Sequence, residues 1–206
     1  MIQRGVSMKV TDMMQGEHRL ILRVLECLTA ATEHAEAGQT LDVKSIRAMI
    51  EFFRGFADRR HHANEETHFF PIVRRCGMGC APGNVDILLR EHEEGRSCVR
   101  AMDESLSAIE RGDSDARALF YENARRYVLL LTDHIGKEDS RLFPTADMMF
   151  SASDQQALLR AFAETDEKEM EPGAQERFHA LADDLCAKWG VPIPAAEKPP
   201  AHYGHS

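Results

Sequence analysis

His61-His62-Ala63-Asn64-Glu65-Glu66-Thr67-His68-Phe69-Phe70-Pro71 and His134-Ile135-Gly136-Lys137-Glu138-Asp139-Ser140-Arg141-Leu142-Phe143-Pro144 are two copies of one pattern. Each carries His-x-x-x-Glu and closes with Phe-Pro. Upstream of each stands a Glu-His pair, Glu17-His18 and Glu91-His92. His18 precedes His61 by 43 residues and His92 precedes His134 by 42, so the unit recurs after about 73 residues, the length of a helical hairpin.

Read outward from these copies, the chain is a run of long helices. Turn signals at Gly38, the Cys76–Gly83 stretch and Gly112 divide it, and helices are expected over about 11–37, 42–69, 84–111 and 114–143. Thr11 is the expected cap of the first, while Pro71 and Pro144 are expected to stop the second and fourth, since proline cannot continue a helix. Four such helices with short connections predict an all-α, antiparallel up-down four-helix bundle. The domain reading is a tail over 1–10, the bundle over 11–145, a short helical extension over 146–190 and a disordered tail over 191–206. Ser153 and Gln156 suggest a capping box opening the extension, and Pro172-Gly173 divides it.

Composition narrows the function. The 206 residues are 43% hydrophobic and 29% charged, ordinary for a globular domain. A net charge of −9 argues against nucleic acid or an anionic membrane as a partner, because both need a basic face. Val128-Leu129-Leu130-Leu131 is far too short to span a bilayer, and residues 1–10 hold no apolar signal core, so a cytoplasmic location is expected. Five scattered cysteines do not suggest a disulfide framework; Cys76 and Cys80, three residues apart in the gap between them, are read as free thiols in a loop.

The chemistry lies in the repeat. Residues four apart share a helix face, so His61 with Glu65 and His134 with Glu138 each present an imidazole beside a carboxylate. One such pair is common on a surface. Two in register, each matched by a histidine on the preceding helix, direct four imidazoles and two carboxylates into one layer of the bundle. Burying them unpartnered would cost several kcal/mol each, and a metal offsets that. Six nitrogen and oxygen donors, two able to bridge, suit two ions better than one structural zinc; the donor set suits iron, and manganese less well.

On these residues the chain resembles the hemerythrin-like proteins of bacterial type, through His61-His62-Ala63-Asn64-Glu65-Glu66, Leu89-Arg90-Glu91-His92-Glu93-Glu94-Gly95-Arg96 and His134-Ile135-Gly136-Lys137-Glu138-Asp139. The resemblance spans about residues 11–145. It implies a non-haem centre of two Fe ions with a bridging oxo or hydroxo group: His18 and His134 on one ion, His61 and His92 on the other, Glu65 and Glu138 bridging. Oxygen-carrying members add a fifth histidine on the third helix. Here Leu88 and Arg96 stand at those positions, so an open position is expected on each ion. That favours reaction with H2O2, NO or O2 over simple oxygen carriage.

The resemblance implies a protein that binds or reduces one of these small ligands, with catalase- or peroxidase-like turnover as its enzymatic form. Two alternatives are a module whose C-terminal helices report the ligand state to a protein partner, and an iron-handling or iron-centre repair protein. Members of the last group carry a cysteine before the first helix, which residues 1–10 lack. Around the six residues, His62 is expected to point away from the centre, behind the ligands or at the surface. Glu66 shares that ambiguity. His68 is read as marking an exposed bundle end. Tyr127 is expected in the core on the stripe of His134, where its phenol could also meet a bound ligand. Gly95, one turn after His92, weakens its helix and either leaves space beside the centre or allows tight packing.

Overall fold

The computed structural model describes residues 8–77 and 85–194. Among these residues there are helices and no strands. Cys80, His202 and His205 lie outside them, as do most of the Cys76–Cys80 loop and of the C-terminal tail.

The first hairpin is α1 (Val10–Glu36), then α2 (Val43–Phe52) running on through wider, π-helical segments Phe53–His62 and Glu65–Phe69 into α3 (Phe70–Arg75). The second is α4 (Val85–Glu110), then α5 (Ala116–Lys137), a π-helical segment Glu138–Leu142 and α6 (Phe143–Met149). Gly38 and Gly112 take the left-handed conformation, φ +88° and +94°, at the turns of the two hairpins. The internal repeat therefore extends to the turns. Two helices follow, α7 (Ala152–Glu169) and α8 (Ala174–Trp189).

Three expectations change. The first helix begins at Val10, with the backbone N–H of Lys9 bonded to the Asp12 carboxylate, and Thr11 lies inside it, donating to Asp147. The extension is capped by Ser151, not Ser153: the Ser151 hydroxyl accepts from the Asp154 N–H while the Asp154 carboxylate accepts from the Ser151 N–H. The helices do not stop at Pro71 and Pro144. In each copy the residue before proline reaches back five residues, Phe70 N–H to the Glu65 carbonyl and Phe143 N–H to the Glu138 carbonyl. This wide turn absorbs the proline that an α-helical register would reject.

Two apolar clusters fill the bundle. One runs along α1, α2, α4, α5 and α8, from Leu20 and Ile21 to Met102, Leu131 and Cys186. The other gathers Val10, Met14, Phe69, Phe70, Leu88, Leu142 and Phe143 with Leu158 and Phe162 of α7. Between them lies a buried polar layer.

Candidate metal centre

The layer is made of His18, His61, Glu65, His92, His134 and Glu138, each at most 1% exposed. All six residues singled out by the repeat converge. His18 Nε2 stands 2.9 Å from His61 Nε2, and His92 Nε2 stands 3.1 Å from His134 Nε2. Glu65 spans the two pairs, Oε1 at 3.6 Å from His61 Nε2 and Oε2 at 3.4 Å from His92 Nε2. Glu138 Oε2 lies 3.3 Å from both His18 Nε2 and His134 Nε2.

This grouping corrects the expected assignment of histidines. His18 pairs with His61, and His92 with His134, not His18 with His134 and His61 with His92. The physical reason is the hairpin: each pair comes from two consecutive helices packed side by side, while the glutamates cross between hairpins. Two groups could each hold a metal ion: His18, His61, Glu65 and Glu138, and His62, Glu65, His92 and His134.

Each histidine is anchored through its other nitrogen. Nδ1 of His61 bonds Glu17 at 2.7 Å, of His134 bonds Glu91 at 2.9 Å, of His92 bonds Glu66 at 2.7 Å and of His18 bonds Asp139 at 2.8 Å. A carboxylate only accepts, so Nδ1 carries the proton and the Nε2 lone pair points inward. Three of the four carboxylates are in turn held by cations: Glu17 by Arg60, Glu66 by Arg96 and Glu91 by Lys137. The Glu17-His18 and Glu91-His92 dipeptides thus serve two helices each, one residue aimed inward and its neighbour at the histidine alongside. Their role, and that of Glu66 and Asp139, was not readable from spacing, although Glu17 and Glu91 stood in the repeat.

The charges are strongly biased. Burial pushes the Glu17 carboxyl up, but Arg60 and the His61 bond outweigh it and hold it near pH 2. Burial disfavours a charged His18, yet Asp139 and Glu138 raise it to about 9. Against the same penalty, Glu138 and Glu91 raise His134 to about 10. The carboxylates therefore create a field that draws positive charge onto the layer. Both oxygens of Glu65 and both of Glu138 are buried without a hydrogen-bond donor. Facing imidazole nitrogens at about 3 Å need a cation between them, either a metal ion or the proton that the raised His18 and His134 retain. Orphaned carboxylates and convergent lone pairs are the donor set a pair of metal ions requires, so the residues present fit the implied centre.

His62 departs from expectation most. It is 4% exposed, and its ring stacks on His92 with centroids 3.9 Å apart. In an α-helix it would turn about 100° from His61. The wider turn of Phe53–His62 reduces that angle, and both imidazoles face inward. Burial, then the positive fields of His92, His61 and His134, hold its pKa well below the ordinary range, which leaves it neutral. Asn64 is likewise buried with both amide atoms unpartnered. Tyr127 is buried and sits edge-on to Phe53, as a core position should. A small cavity of about 120 Å³ touches His62, Gly95 and Tyr127, so the glycine does leave space there. A Cβ on Gly95 would stand 3.4 Å from the Tyr127 ring.

The profile of the hemerythrin HHE cation-binding domain matches residues 9–146. The chain belongs to that family. Chains similar to it include uncharacterized proteins MT2051 and Rv1995 of Mycobacterium tuberculosis and Mb2018 of Mycobacterium bovis. Each is 21% identical over 182 residues, covering 88% of this chain and 71% of the relative. No solved structure matches it. Among the described residues no helix is long and apolar enough to cross a membrane.

Proposed function

We propose that this hemerythrin-like protein holds two iron ions on His18, His61, Glu65, His92, His134 and Glu138 and binds or reduces a small oxidant or gas: O2, NO or H2O2. The observation that carries the reading is the pair of buried glutamates, each reaching histidines of both hairpins with no proton donor of its own. When bound, the ions would supply the electrons and open coordination positions such reactions need.

The chain's own residues do the rest. The four Nδ1–carboxylate bonds keep each imidazole in one tautomer and one orientation. Phe143 stacks on His18 at 5.2 Å and Phe70 on His92 at 5.8 Å, closing one side to water. His62 joins His92 and His134 as a third imidazole and supplies, from the second helix, the fifth histidine that helix α4 lacks. The two positions then differ, three imidazoles on one and two on the other, so the expectation of equal open positions gives way to one more open at His18 and His61. The cavity of about 120 Å³ beside Tyr127 has room for a diatomic gas or a peroxide. Burial raises the Tyr127 phenol far above neutrality, so it meets such a molecule as a hydrogen-bond donor.

Metal analysis with the visible spectrum, on protein from iron-replete cells, tests this before and after exposure to NO and to H2O2. Two irons per chain and a spectrum that responds support it. Zinc alone, or no metal, removes it.

A further inference from the structure

The C-terminal helices do more than cover the bundle. Between the start of α1 and the α7–α8 hairpin lies a cavity of about 450 Å³, within the range of small-molecule sites. Its walls are apolar: Met13, Leu159, Phe162, Met170 and Ala174. Its polar groups are nearly all of one sign. Asp166, Glu167, Glu171 and Glu176 line it against the one cation Arg60, with His179 beside them.

Arg60 is 3% exposed, and both ends of its guanidinium are committed, Nη1 to Glu17 and Nη2 to Asp166 Oδ2 at 2.9 Å. Its Nε–H is buried without a partner, but two carboxylates already balance its charge and the other acids of the wall repel an anion. Asp166 has a free acceptor: Oδ1 is buried and has no donor. Of the other acids, Glu171 is paired with Arg177 at 3.2 Å. An apolar enclosure with an unsatisfied carboxylate oxygen and a carboxylate rim is complementary to an ammonium group on a hydrophobic body. Water could satisfy Oδ1 but would leave the apolar walls wet.

We propose that this cavity binds a small amphipathic amine, its ammonium donating to Asp166 Oδ1 and its body lying against Phe162 and Leu159. The same carboxylate is the outer end of a continuous chain of hydrogen bonds: Asp166 to Arg60, Arg60 to Glu17, Glu17 to His61. An occupant that draws on Asp166 shifts the position of Arg60, and through Glu17 the ring of His61. The amine is therefore an effector of the centre. This coupling rests on the metal reading; the binding does not.

The test uses three molecules with one indole body and different heads: tryptamine (cation), tryptophol (neutral) and indole-3-propionate (anion). Calorimetry on the full chain reads affinity. Tryptamine is expected to bind at least about tenfold more tightly than either analogue, the worth of one charge-assisted hydrogen bond. Asp166→Asn removes that preference. Ala163→Trp fills the cavity from its exposed edge and abolishes binding, with circular dichroism confirming the fold. Equal binding of the anion, no binding of any of the three, or tryptamine binding that survives Ala163→Trp overturns the site. On the metal-loaded protein, saturating tryptamine is expected to change the rate at which a chelator strips metal by about threefold or more, since partners of metal ligands tune affinity by about ten- to a hundredfold when lost. An unchanged rate overturns the coupling. A chain that holds no metal yet binds tryptamine sinks the iron reading and leaves the cavity assignment standing.

Discussion

Glu17 is covalently next to His18 but holds His61, accepting from its Nδ1 at 2.7 Å across to the neighbouring helix. Glu91 does the same for His134 in the other hairpin. The two relationships differ in what stands behind them: Glu17 is backed by the buried Arg60, Glu91 by the partly exposed Lys137. Glu17→Gln leaves the shape but removes the charge that fixes the His61 tautomer. We expect metal affinity at the His18–His61 position to fall about ten- to a hundredfold. Glu91→Gln should do the same at the His92–His134 position. Competition with a chelator, read as one fast-lost and one retained ion per chain, checks both. Loss of both ions together in either variant would show that the positions are not independently supported.

His62 decides whether the two positions differ. His62→Ala removes a buried imidazole stacked on His92 and leaves the His18–His61 pair untouched. If His62 is a third imidazole of its group, the variant retains about one ion tightly and one weakly, as expected on losing one donor of a closed set. Full retention of two ions, with an unchanged spectrum, would return His62 to a packing role. Replacing Glu65 or Glu138 with Ala is more severe, because each reaches histidines of both pairs; the expected outcome is loss of dinuclear loading, measured as metal per chain.

Much of this was visible in the chain before any coordinates. The helices, their turns at Gly38 and Gly112, and the six residues of the layer follow from a period of about 73 residues and an i,i+4 spacing. The pairing of histidines was not visible, because a period says which residues are equivalent and not which are adjacent. His62 was misplaced because its direction depends on a wider helical turn, a property of the backbone hydrogen bonds rather than of residue type. Two further wide turns, Glu65–Phe69 and Glu138–Leu142, likewise hide the continuation of both helices through Pro71 and Pro144. Arg60 belongs to no motif of the repeat, and its bond to Asp166 depends on α7, which no spacing rule connects to it.

Gly55 sets how closely α8 approaches the bundle. A Cβ there would lie 2.2 Å from Cζ of Phe178, and that ring is held by Phe52 and Phe56 at centroid distances of 5.9 and 6.0 Å. Either the ring must leave its place between Phe52 and Phe56 or α8 must move. Gly55→Ala should destabilise the protein by about 1–3 kcal/mol despite the better helix former, the usual result of overpacking a core. Thermal unfolding measures this. Gly95→Ala is the control: its Cβ meets Tyr127 at an ordinary 3.4 Å. It should instead gain up to about 1 kcal/mol and slow the entry of a small ligand through the cavity it narrows. A stabilised Gly55→Ala would mean that α8 docks less tightly than its contacts require.

His68 ties the second wide turn to α7, with its Nε2 and the Thr165 hydroxyl 2.8 Å apart and its ring beside Phe162. Partial burial lowers its pKa; Glu164 opposes that and Lys168 adds to it. A base whose pKa is lower folded than unfolded resists protonation in the native state, so the unfolded chain takes up the proton first as pH falls. The contribution of His68 to stability is therefore complete above about pH 6.5, the free-histidine value, and is lost as the pH drops below it. His68→Gln keeps a donor and an acceptor for Thr165 but does not titrate. The difference in melting temperature between the wild type and His68→Gln should grow as pH rises from about 5 to 7 and level off above that. Taking the difference removes the titration of the metal-layer histidines common to both proteins. Parallel curves would show that His68 is as readily protonated in the fold as in water, and that α7 is not held by a neutral imidazole.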